Sequence, residues 1–94
     1  MKLYLVRTQK VDKDRNYIFQ FYDFHSKRYV DEPTAFCCGS KHAAKWRRSY
    51  INHTNMHLNP ILIELTSIYP EVISLLTKKS NVFLKHDSIN IIND

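Results

Sequence analysis

Residues 16–24 read Asn16-Tyr17-Ile18-Phe19-Gln20-Phe21-Tyr22-Asp23-Phe24. Aromatic and β-branched side chains crowd this stretch, and such residues favour a pleated, packed surface. Side chains alternate along a strand, so Tyr17, Phe19 and Phe21 point one way while Ile18, Tyr22 and Phe24 point the other. A strand with large apolar groups on both sides needs cover on both sides. That requirement decides the architecture.

The flanks complete a hairpin. His25-Ser26-Lys27-Arg28 is polar enough to turn, and Tyr29-Val30 supplies a short returning strand. Upstream, Leu3 to Thr8 alternates with apolar residues on both faces, and Lys10 to Arg15 is a charged loop. Downstream, Asp31-Glu32-Pro33 ends the strand pattern, and Thr34 to Gly39 is a connection carrying Phe36, Cys37 and Cys38.

Ser40 is suited to cap a helix, because its hydroxyl can accept a first-turn N–H. The pattern from Lys41 to about His53 is helical. Ala43, Trp46 and Tyr50 recur at spacings of three and four, with Ala44 and Ile51 beside them. Lys45, Arg47 and Arg48 fall largely on the remaining circumference. Trp46, the largest residue of the stripe, is expected to anchor the core. The polar stretch Asn52 to Asn59 is expected to contain the helix end and a loop, and it leads to a short strand over Ile61–Leu65. Pro70 suits the first turn of a second helix, with Val72, Ile73, Leu75 and Leu76 as its apolar face. The tail segments 82–84 and 89–92 can add an edge strand or dock on the sheet.

The expected fold is α+β, a small and mainly antiparallel sheet of order β-β-β-α-β-α. One helix packs on a face, and the second helix and tail cover the rest. Residues 1–94 make a single domain. The first helix can cover only one set of the aromatic strand. The second helix and tail are expected to leave the other partly open, at Tyr22, Phe24 and Tyr29.

Composition is that of a folded protein. Apolar residues are 44%, charged residues 24%, and there is one glycine, which argues against a disordered chain. No apolar run approaches the roughly 18 residues of a membrane span. Adjacent cysteines do not make a secreted disulfide framework, so both are expected as free thiols in a cytoplasmic protein. The net charge of +5 is uneven. Residues 1–59 hold eleven Lys/Arg against five Asp/Glu, whereas residues 60–94 hold three against four.

Motifs of catalysis and metal binding are weak. His53 and His57 have i, i+4 spacing, but a zinc finger needs cysteines separated by two to four residues. Cys37 or Cys38 near His42 could make a thiolate pair at a helix start, yet no third orienting group is evident. The single glycine, Gly39, excludes a phosphate-binding glycine loop. No catalytic residue, metal or cofactor is therefore expected.

Binding residues are easier to nominate. Aromatics beside Lys27 and Arg28 have the composition of a protein-interface hot spot, which nominates Tyr22, Phe24, Lys27, Arg28 and Tyr29. Lys41, Lys45, Arg47 and Arg48 on the first helix nominate a second, phosphate-binding surface.

An opening strand like Lys2–Thr8 is followed by an aromatic hairpin, then Ala35-Phe36 and Ser40-Lys41-His42-Ala43-Ala44-Lys45-Trp46, then Ile61-Leu62-Ile63-Glu64. This layout, over residues 1 to about 66, resembles that of many small accessory proteins of phages and mobile elements. The abundance of Ile, Asn, Lys and Tyr is similar to that of proteins from A+T-rich viral genomes. The resemblance implies a non-enzymatic protein that binds another protein in the host cytoplasm, as an inhibitor or modulator of a host enzyme or defence complex. A homodimer is a further expectation. The alternative is a basic nucleic-acid-binding module, and the third reading is a small ribonuclease-like toxin.

Overall fold

The computed structural model describes residues 2–66, 69, 70, 76 and 89–92. Strand β1 (Leu3–Val11) pairs antiparallel with β2 (Tyr17–Asp23), and β2 with the short β3 (Arg28–Val30). A 3-10 turn (Ala35–Cys37) precedes helix α1 (Lys41–Thr54), and a second 3-10 turn (Met56–Leu58) follows it. Strand β4 (Ile61–Leu65) pairs with β1, and β5 (Ile89–Ile92) pairs with β4. All pairings are antiparallel, in the order β3-β2-β1-β4-β5. The small α+β fold expected from the sequence is present, and the tail segment 89–92 forms an edge strand.

Local chemistry accounts for the joints. The Ser40 hydroxyl accepts the Ala43 N–H at 3.1 Å and starts α1. At the β2–β3 turn, Asp23 Oδ1 accepts the N–H groups of His25 and Ser26 at 2.8 and 3.0 Å. The Asp23 carboxylate thereby satisfies two turn amides, as an Asx-type turn does. Gly39 donates its N–H to the Tyr4 carbonyl at 2.8 Å. A Cβ at Gly39 would lie 3.2 Å from the Phe24 ring, so this close approach favours glycine.

Register sorts the side chains into two cores. One face gathers Leu5, Phe21, Ile63, Leu65 and Ile89 with Cys37 and Leu76. The other gathers Val6, Tyr22 and Leu62 against Ala44 and Ile51 of α1. Leu5, Val6, Arg7 and Thr8 are consecutive and all buried, as a central strand covered on both sides requires. Pro70 and Leu76 are helical, and Leu76 is fully buried. Val72, Ile73, Leu75 and segment 82–84 lie outside the described residues.

Two expectations are corrected. Helix α1 covers the Tyr22 and Phe24 set, so Tyr22 is 5% exposed and Phe24 is packed against the same core. Trp46 is not a core anchor; it is 56% exposed. The helix turns Ala44 and Ile51 inward, and at ~100° per residue Trp46 lies about 200° from Ala44. A sheet face already filled with Tyr22 and Leu62 favours a small residue at the point of closest approach. Alanine fits that space better than indole.

Candidate functional site

The inward turn of Ala44 places Arg47 and Arg48 on the two flanks of the buried stripe, not on the outer circumference. Both are half-buried. Long arginine stems can lie along apolar surface while the charged heads reach past it. Arg48 Nη1 donates to the Ile92 carbonyl of β5 at 3.3 Å. Arg47 goes the opposite way, and its guanidinium carbon lies 4.3 Å from the centre of the Tyr22 ring.

Arg47 also lies 5.1 Å from the Trp46 ring and 5.1 Å from the Tyr50 ring. Those two rings stack at 5.4 Å with an interplanar angle of 14°. Both are exposed, Trp46 at 56% and Tyr50 at 48%. Tyr29 completes the cluster from β3, meeting Tyr22 edge-on at 5.7 Å. Burial raises the Tyr29 phenol above its ordinary pKa, and the charge of Arg47 opposes that shift. Four residues from two elements, Trp46, Arg47, Tyr50 and Tyr29, thus form one aromatic surface around a cation. Arg47 has attractive geometry to three rings at once.

The residues nominated from sequence are distributed differently. Tyr22 lies beneath this surface as its floor. Phe24 packs edge-on to Tyr22 at 5.1 Å and against Gly39. Lys27 and Arg28 are exposed at the turn, and Lys27 holds a left-handed φ of 60°. Phe36, 59% exposed, stacks with His25 at 4.9 Å beside that turn. Lys41 is exposed and Lys45 half-buried on α1. Tyr29 from one nominated set and Arg47 from the other come together, beside Trp46, which the sequence predicts as a core anchor, and Tyr50 of the same stripe. One sequence signal does mark the true inner stripe: Ala44 and Ile51 are seven apart, two full turns.

The thiols do not have the electrostatics of nucleophiles. Burial pushes Cys37 above its ordinary pKa and pushes Cys38 up to about 11. Both are free. His53 lies in the last turn of α1, and His57 sits exposed in the following 3-10 turn. Among the described residues, no group of three or more His, Cys, Asp or Glu is placed to hold a metal ion. Among the same residues, no helix is long and apolar enough to cross a membrane. On the other face, Arg7 is buried with its guanidinium carbon 4.2 Å from the Phe19 ring, and burial lowers its pKa to about 10.

Comparison with protein-family models, with curated proteins and with solved structures finds no match to this chain.

Proposed function

We propose that the protein is a small, non-enzymatic binding protein whose partner is another protein. The observation that carries this reading is the exposed stacked pair Trp46 and Tyr50 gathered with Tyr29 around Arg47. Trp, Tyr and Arg are the residues most enriched among those that dominate binding energy, and rings already stacked present area at low entropic cost. The layout resemblance to phage accessory proteins extends the proposal to a host enzyme or defence complex as target. Two buried or half-buried free thiols fit a reducing cytoplasm.

The test is capture from the native host with wild type and with a Trp46→Ser/Tyr50→Ser double variant, with thermal melts confirming that both fold. A protein captured by the wild type and lost in the folded variant supports the reading. Identical capture sets, or turnover of labelled RNA by the purified protein, overturn it.

A nucleic-acid reading has its own observation: Lys41, Lys45, Arg47 and Arg48 all lie on α1 beside exposed rings. Arg48 is already engaged at Ile92, and Lys45 holds an interaction within the chain. Fewer cations therefore remain for phosphates than the sequence promises. Retention on a DNA column that disappears with added salt would favour this second reading.

A further inference from the structure

The charge pattern around this surface says more about what it takes. From Pro33 to Ile63 the chain contains no Asp and no Glu, while α1 carries Lys41, Lys45, Arg47 and Arg48. Three of the described carboxylates are engaged elsewhere. Glu64 accepts from Tyr4 at 2.9 Å and pairs with Lys2 at 3.7 Å, Asp31 accepts from Gln20 at 3.1 Å, and Asp23 holds its turn. Among the described residues, Arg47 meets rings alone. Its Nε is buried without a hydrogen bond, and no hydrogen bond there engages its terminal nitrogens.

We propose that the surface formed by Arg47, Trp46, Tyr50 and Tyr29 recognises an acidic segment of its protein partner, with a carboxylate on Arg47 and an adjoining apolar side chain against the stacked rings. The inference rests on the protein-binding reading above. A guanidinium lying against rings keeps its in-plane donors for a carboxylate, which it can take in a bidentate pair. A second copy bound through the same face would set cations against cations, so charge argues against that occupant. Single-stranded nucleic acid is also anionic. It stacks bases on open ring faces, however, and Trp46 and Tyr50 have each spent one face on the other.

The experiment is selection from a displayed random-peptide library on the full chain, with deselection on Trp46→Ser. The enriched peptides are then titrated against wild type, Arg47→Gln and Arg47→Lys, whose folding is checked by thermal melts. The expected peptides place Asp or Glu beside an apolar residue. Arg47→Gln should weaken them by about tenfold or more. Changing the peptide acid to its amide should weaken binding to wild type by a similar factor and not weaken binding to Arg47→Gln further. The amide swap needs no protein variant, so misfolding of Arg47→Gln cannot mask the result. Enriched peptides that are neutral or basic, and depend on Trp46 but not on Arg47, overturn the acidic-segment inference and leave the protein-binding reading standing. Failure to enrich any peptide over the deselection overturns both. So does Arg47-dependent binding of an oligothymidine in place of any peptide.

Discussion

The guanidinium carbon of Arg47 lies 4.3 Å from the centre of the Tyr22 ring, while the neighbouring Arg48 reaches the backbone of β5. Two adjacent cations therefore clasp the sheet from opposite flanks of one helix. The helix is held by Ala44 and Ile51 between them, and its Trp and Tyr are left outside.

This arrangement orders the effects of substitutions on α1. Ile51→Ala should cost ~2–5 kcal/mol, because it empties a fully buried site. Arg47→Ala should cost about 1–2 kcal/mol through lost ring contacts and stem packing. Trp46→Ala should cost less than about 1 kcal/mol, as expected away from the core. Urea denaturation of the three variants measures the order, and a Trp46→Ala loss as large as that of Ile51→Ala would contradict it.

The Ser40 side chain caps the start of α1. Ser40→Ala should lower stability by ~1 kcal/mol, and Ser40→Asp should largely preserve it, since a carboxylate accepts the same N–H and favours the helix dipole. Paired thermal melts separate the two variants.

Lys27 sits at φ 60° in the β2–β3 turn. That region costs an L-residue ~1–2 kcal/mol, and glycine's greater freedom in the unfolded chain returns ~0.5–1 kcal/mol of the difference. Lys27→Gly should therefore stabilise by up to about 1 kcal/mol, seen as a higher urea midpoint at unchanged slope.

The thiols make a pH-dependent prediction. Burial raises Cys38 to about 11 from an ordinary 9.0, and Cys37 also moves up. The folded state holds these protons more tightly than the unfolded state. The stabilisation is therefore full below about pH 9 and is lost as pH rises through about 11. Cys38→Ala should lose less stability than wild type across that window. At pH 8, native protein should resist iodoacetamide while unfolded protein reacts at both cysteines. Rapid native labelling would show accessible, ionised thiols.

Much of the fold was legible in the sequence because its signals are local. Alternation in Leu3–Thr8 and Tyr17–Phe24, the cap at Ser40, the helical span and the Ile61–Leu65 strand each follow from backbone geometry acting on nearby residues. The need to cover both faces of the sheet also followed, since apolar side chains stand on both sides of β1 and β2.

Which rings would be buried did not follow. Tyr22 and Tyr29 are on the same face, directly paired across β2 and β3, yet one is core floor and the other half-open. Their fates depend on where α1 lands, and that is a matter of volume across the interface. The sequence by itself determined the central parts of β1 to β4, the helix and the cationic, carboxylate-free character of residues 33–63, and left the tail open between an edge strand and docking. Only the tertiary structure decided that small Ala44 faces the crowded sheet, that Arg47 is drawn over Tyr22, and that Trp46 and Tyr50 stay outside. A helix has a period but no fixed azimuth until it packs, and close packing on Val6 and Leu62 of the strands that α1 crosses, β1 and β4, selects the stripe that turns small Ala44 inward.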